Sequence, residues 1–266
     1  MPMLPQLLDP RVPHEQARRI VGVGQKMYLT YRETEAWLRG ARARADELAD
    51  IDLFVLPSFP ALALASTILA DTGIRTGAQD MHWQERGPFT GAVSALSLLD
   101  VGCTFVEIGH AERRALFGET DDIVRLKTAA ALRHGLAPVI CVGEEHEIPV
   151  DMAIAYVLGQ VEAALDTSAY MGAPAPAVVI AYEPVWAIGQ AASAPVAHVR
   201  AVVGALRQLL VETWQGPHAI LYGGSVQAVE AAGFVEAGAD GVFVGRAALD
   251  LDNLYAIVAA VATARR

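Results

Sequence analysis

The chain has 266 residues, 53% of them hydrophobic and 19% charged, with a formal net charge of −10. That apolar content excludes intrinsic disorder, and the scattered glycines and prolines exclude a collagen or coiled-coil repeat. The acidic balance argues against general nucleic-acid binding, which needs a basic face, but leaves room for a phosphorylated small molecule in a locally positive pocket.

Cys103 and Cys141 lie far apart and lack the spacing of a redox or zinc motif, which predicts a reducing compartment and a cytoplasmic protein. No window approaches the roughly 18 apolar residues of a membrane helix. Met1 to Arg19 carries prolines and charges without the apolar core of a signal peptide. The expected organisation is a short extension over residues 1–19 and one domain over 20–266.

In chain order, eight short apolar runs predict strands. They are Ile20–Gly24, Ile51–Leu56, Ile74–Gln79, Thr104–Ile108, Ala137–Val142, Ala177–Tyr182, Ala219–Tyr222 and Gly241–Val244. Their continuous apolar character suits strands buried on both faces of a parallel sheet. Helical stretches follow each: Tyr31–Ala49, Ala61–Asp71, Ala92–Asp100, Asp121–His134, Asp151–Thr167, Val196–Thr213, Val226–Glu236 and Leu251–Ala264. Eight strand–helix units are the arithmetic of a (β/α)₈ barrel, with a doubly wound open sheet as the competing architecture. Gly22-Val23-Gly24-Gln25-Lys26 lacks the third glycine of a dinucleotide fingerprint. Glycines cluster late instead, at Gly223-Gly224 and Gly245, after the last two strands, where barrels bind phosphate. The single-domain barrel is the expectation.

Barrel strands deliver their C-terminal ends to one mouth. Those ends carry Lys26, Gln79, His110 with Glu112, Glu144, Glu183, Ser225 and Arg246. Taken singly, a lysine or glutamate there is usually a solvated loop residue, and Glu144-Glu145 reads as a helix N-terminus, where carboxylates suit the dipole. Taken together the set is harder to dismiss. Lys26 can hold an anion as a point charge. Gly223-Gly224-Ser225 precedes a helix, so its bare N–H groups can cradle phosphate oxygens, and Gly245 opens a second such turn. Glu183 ends an apolar strand, so partial desolvation should raise its pKa towards that of a general base. Pro184 to Pro195, with Val185, Trp186 and Ala194, has the make-up of a moving lid.

Glu107-Ile108-Gly109-His110-Ala111-Glu112-Arg113-Arg114, Ala181-Tyr182-Glu183-Pro184-Val185-Trp186-Ala187-Ile188-Gly189 and Tyr222-Gly223-Gly224-Ser225-Val226 closely resemble signature segments of the triosephosphate isomerase family. Gly77-Ala78-Gln79, Phe89-Thr90-Gly91, Phe117-Gly118-Glu119 and Cys141-Val142-Gly143-Glu144 do likewise, and all occur in family order. The resemblance implies a TIM barrel in which Glu183 moves a proton between adjacent carbons and neutral His110 polarises the carbonyl. It implies that Lys26 favours the developing negative charge and that Glu112 anchors the charge network. Gly189, Ser225, Gly224, Gly245 and Arg246 would grip phosphate through their backbone, and the lid would shield the enediolate. It implies no metal and no organic cofactor, a small phosphorylated sugar as substrate, and a homodimer whose inter-subunit loop carries Thr90.

Four departures stand out. The family's substrate-facing asparagine is Gly24, which opens the pocket beside the carbonyl. Its second phosphate-turn glycine is Arg246, and the serine after the histidine is Ala111. The lid reads Gln190-Ala191-Ala192-Ser193-Ala194 without the usual Gly-Lys-Thr. Gly245-Arg246 together with Met81-His82-Trp83 is similar to the branch that isomerises erythrulose phosphates. The expectation is the majority three-carbon reaction, dihydroxyacetone phosphate to glyceraldehyde 3-phosphate. The alternatives are conversion of L-erythrulose 1-phosphate to D-erythrulose 4-phosphate by the same residues, and a silent barrel that only binds a phosphorylated ligand.

Overall fold

The structure, a computed structural model, describes residues 8, 9, 11, 12, 14, 16–48, 50–165, 175–190, 192–214 and 216–265. Among them eight strands form, β1 Arg19–Gly24, β2 Ile51–Leu56, β3 Arg75–Ala78, β4 Phe105–Ile108, β5 Ala137–Val142, β6 Val178–Tyr182, β7 His218–Tyr222 and β8 Gly241–Val244. They run parallel in sequence order, and β8 closes back on β1 with Ile20 opposite Gly241. That closure excludes the open sheet.

Nine helices surround the barrel among the described residues: α1 Tyr31–Ala43, α2 Leu62–Ile68, α3 Ala95–Asp100, α4 Ala111–Phe117, α5 Asp121–His134, α6 Val150–Ala164, α7 Val196–Thr213, α8 Ala228–Glu236 and α9 Leu251–Thr263. Local chemistry sets their ends. Thr30 and Glu33 form a capping box at the start of α1, with the Thr30 N–H donating to Glu33 Oε2 at 2.8 Å. Thr120 caps α5, and Gly135 ends it in the left-handed region at φ 78°. Helix α1 stops before the expected Ala49, because Ala45–Leu48 tightens into a 3₁₀ turn; Ala49 itself lies outside the described residues. Positions 166 and 167 of the expected sixth helix also lie outside them, and α6 begins at Val150, after Pro149. Helix α4 was not expected at all.

Two apolar layers hold the barrel. Val21, Val106, Ile140 and Ile180 face outward onto the helices, while Phe54, Phe105, Val139, Leu221 and Phe243 fill the interior. Inside, the Phe54 and Phe105 rings stack with centroids 4.5 Å apart. Gly22 makes this possible, because a Cβ there would run into the rings of both Phe54 and Phe243. Each such ring or aliphatic side chain, fully buried, contributes about 1.5–3 kcal/mol. Ahead of β1, Leu8 and Ala17 are buried against the same interior cluster. His14 Nε2 lies 2.8 Å from Asp240 Oδ1, and buried Asp240 also accepts from Arg207 Nη2 and the Ile220 N–H. Among the described residues no helix is long and apolar enough to cross a membrane.

Candidate active site

Lys26 follows β1 with φ 48°, a left-handed conformation that an L-residue rarely adopts. Gln79, after β3, ties that turn down by donating Nε2 hydrogen bonds to the carbonyls of Lys26 at 3.0 Å and Leu56 at 2.9 Å. Lys26 Nζ donates to Glu112 Oε1 on α4 at 2.7 Å. Burial alone would pull the ammonium pKa down. The Glu112 hydrogen bond and the charges of Glu183, Glu112 and Glu107 outweigh burial and hold it above the usual lysine range.

His110 is the N-cap of α4, and its Nδ1 accepts the Glu112 backbone N–H at 3.1 Å. An Nδ1 that accepts leaves the proton on Nε2, which lies 3.3 Å from Glu183 Oε2. Burial first, and the Lys26 charge second, pull the imidazole down to about 4, so it is neutral. Glu183 follows β6 and is 4% exposed. Burial, reinforced by the Glu107 charge, pushes its carboxyl well above the usual range, with Lys26 opposing. Gly223 leaves it room: a Cβ there would sit 2.6 Å from Glu183 Cγ and Oε1.

Lys26, His110, Glu112 and Glu183 line one cavity of about 310 Å³. Gly189, Ser225, Gly245 and Arg246 form its opposite wall, after β6, β7 and β8. Gly224 lies behind this wall, buried against Tyr222 and Pro184. The Arg246 side chain is exposed and forms no ion pair among the described residues. Gly24 also faces the cavity, but the opening left by its missing side chain is bounded by Phe243, whose ring would stand 3.3 Å from a Cβ. Thr90 is exposed on the Met81–Gly91 loop, outside the cavity lining. A larger cavity of about 850 Å³ toward α4 and α6 shares Glu183 with it but is lined by neither Lys26, His110 nor the three glycine turns, which makes the smaller one the candidate site.

From the segment expected to act as a lid, Ile188, Gly189 and Gln190 are among the walls of the smaller cavity. Val185–Ala187 makes a 3₁₀ turn after Pro184, and Trp186 Nε1 donates to Glu144 Oε1 at 2.9 Å. Further along, Ser225 Oγ donates to Gln190 O at 3.0 Å, and the Ala194 N–H donates to Tyr222 OH at 3.0 Å. Ala191 lies outside the described residues.

Glu144 corrects the sequence reading. It starts no helix; it is buried and receives hydrogen bonds from Trp186, Tyr182 OH at 3.1 Å and His198 Nε2 at 3.1 Å. Its partners come from elements distant in sequence, so no local pattern announces it. Glu107 was passed over as well. It lies on β4, is 6% exposed and lines the cavity below His110. Burial pushes its carboxyl up to about 8, and Cys141 Sγ donates to it at 3.7 Å. The available signal was an acidic residue alone within a strand otherwise apolar on both faces.

A parallel barrel with converging polar groups at the C-terminal ends of its strands defines a (β/α)₈-barrel enzyme. A family model described as triosephosphate isomerase matches residues 19–261. The chain belongs to the triosephosphate isomerase family and is a sugar-phosphate isomerase. It is 43% identical to L-erythrulose-1-phosphate isomerase of Pectobacterium atrosepticum, over 90% of this chain and 93% of that protein. A second protein of that name, from Rhizobium etli, is 39% identical over 92% of each chain. Triosephosphate isomerase of Symbiobacterium thermophilum is 38% identical over 92% of this chain and 98% of that one. The crystal structure of triosephosphate isomerase from Bartonella henselae superposes with a TM-score of 0.78 at 29% identity, covering 92% of this chain and 99% of that chain. Each of these relatives is named an isomerase, which gives the silent-barrel alternative no support.

Proposed function

We propose that the protein interconverts L-erythrulose 1-phosphate and D-erythrulose 4-phosphate through an enediolate. Glu183 removes the proton from the carbon beside the carbonyl, and electrons shift to the carbonyl oxygen. His110 donates its Nε2 proton to that oxygen and recovers a proton from the neighbouring hydroxyl. Glu183 then returns the carbon proton one position along. The observation that carries this chemistry is the 3.3 Å approach of a neutral imidazole Nε2 to a buried carboxylate of raised pKa. Lys26, held by Glu112, favours the oxyanion, and the backbone of Gly189, Ser225, Gly245 and Arg246 receives the phosphate. Every proton is assigned to a side chain, and the reading calls on no cofactor.

The four-carbon substrate is favoured by the relatives at 43% and 39% identity and by Gly24, which contributes no side chain to the cavity wall. The three-carbon reaction, expected first from the sequence, is the second reading; the relative at 38% supports it. Side-by-side kcat/KM on L-erythrulose 1-phosphate and dihydroxyacetone phosphate decides between them. Preference for the tetrulose is expected, and preference for the triose overturns it. The enzyme is further read as a cytoplasmic homodimer, in keeping with two free, buried cysteines and the apolar surface discussed below.

A further inference from the structure

The mechanism above uses Glu183, His110, Lys26 and Glu112, and leaves one buried titratable group on the cavity wall without a task. Glu107 belongs to the interior face of β4, in step with Phe105, while Val106 and Ile108 face the helices. Its carboxylate oxygen, a Glu183 oxygen and Cys141 Sγ all lie within 4.8 Å of one another. Among the described residues its only hydrogen-bond donor is that thiol, a weak partner at 3.7 Å. A buried carboxyl so poorly matched is costly unless a ligand completes it.

The substrate's geometry points the same way. With phosphate at the turns after β6, β7 and β8, the reacting carbons lie between Glu183 and His110, so whatever extends beyond them is directed at β1 and β4. There the lining includes Gly24 on β1, without a side chain, the neighbouring Phe243 ring of β8, and Glu107 on β4. In dihydroxyacetone phosphate the reacting carbon ends the chain; in L-erythrulose 1-phosphate it carries a further hydroxymethyl group.

We infer that Glu107 is a specificity-determining residue: its carboxyl hydrogen-bonds the terminal hydroxyl of a four-carbon ketose phosphate, in the space left by Gly24. This rests on the tetrulose reading above. Protonated or ionised, a carboxyl can pair with a hydroxyl, which both donates and accepts. A role confined to strengthening Glu183 as a base would affect both substrates alike.

The test is the ratio of kcat/KM for L-erythrulose 1-phosphate to that for dihydroxyacetone phosphate, in wild type, Glu107→Val and Glu107→Gln. Since Glu107 also faces Glu183, absolute rates will shift and the ratio is what reads the contact. A site built to bind a hydroxyl discriminates strongly, so Glu107→Val should lower the ratio roughly 100-fold. Glu107→Gln, which keeps a donor and an acceptor, should stay within about 10-fold of wild type. A Glu107→Val ratio within about 5-fold of wild type overturns the inference. Should wild type turn over no erythrulose phosphate, the substrate reading fails by itself. The affinity ratio of erythritol 4-phosphate to glycerol 3-phosphate then decides on Glu107. A fall of more than about 5-fold in Glu107→Val, or in Glu107→Ala if the valine variant does not fold, supports the contact, and an unchanged ratio overturns it.

Discussion

At the scale of single residues, the proposed chemistry depends on keeping one carboxylate basic and one imidazole neutral. Glu183 is basic because burial and the nearby Glu107 raise its pKa. Glu183→Gln keeps the shape and removes the base, so kcat should fall at least about 10²–10⁴-fold, read as proton exchange between substrate and solvent. Near-full exchange would refute the assignment. His110 makes a second prediction through pH. Its folded pKa of about 4 lies below the ordinary 6.5, so as pH falls the unfolded chain takes up this proton first. Its contribution therefore lowers stability as pH drops from 6.5 towards 4. Urea unfolding at pH 7 and pH 5 should show a smaller loss in His110→Gln than in wild type; equal losses would contradict a depressed pKa. Lys26, His110 and Glu183 were legible in the sequence because each stands at a strand end, the latter two within long motifs. Glu107 and Glu144 were not, since their meaning comes from groups that only the closed barrel brings near, such as Cys141 and Glu183 for the first and Trp186 and His198 for the second.

At the scale of elements, strands read more clearly than helices. A strand buried on both faces must be apolar, so all eight runs fell within a residue or so of their observed bounds. Helix α4 escaped because Ala111–Phe117 is short, charged and buries none of its residues. Yet α4 matters, because it presents Glu112 to Lys26 and is braced from behind. Arg113 bonds Glu119 at 2.5 Å and Asp80 at 2.9 Å, and buried Lys127 on α5 bonds the same two carboxylates. Lys127→Met would leave both carboxylates short of a partner and should cost about 3–5 kcal/mol in urea unfolding. A loss under about 1 kcal/mol would mean that the network is solvent-relaxed. The lid gives a cleaner deletion. Tyr222→Phe keeps the ring stacked on Phe234, with centroids 4.0 Å apart, and removes only the hydroxyl that receives the Ala194 N–H. Loss of that latch should lower kcat/KM about 10-fold and shift Trp186 fluorescence in the liganded enzyme. Unchanged values for both would show that the latch does not hold the lid.

At the scale of the molecule, the charge of −10 repels a phosphate dianion at long range, so the proposed binding would rely on Lys26, the backbone of the glycine turns and Arg246 at the mouth. The surface beside that mouth is apolar. Met27 is 95% exposed, Leu116 76%, Phe117 66% and Phe89 41%. These residues share one side of the barrel. Met27 adjoins Lys26, which is bonded to α4; α4 carries Leu116 and Phe117; and Phe117 joins Met81, Trp83 and Gly91 around a third cavity of about 380 Å³. The loop there packs on itself, with the His82 ring stacked 4.1 Å from Trp83 and tilted 4.2 Å from Phe89. A clustered apolar patch of this kind suits an interface, and the proposed homodimer would close over it as a two-fold contact. Sedimentation at about micromolar concentration should therefore give twice the 28.2 kDa protomer mass, as for interfaces above about 1,000 Å². Phe89→Asp places a charge in the patch and should yield monomers. Because α4 and the Lys26 turn border the same surface, those monomers should also lose at least about 10-fold in kcat, as small misplacements at a catalytic mouth do. A monomeric wild type, or a monomeric variant with full activity, would detach the exposed apolar face from the chemistry at the mouth.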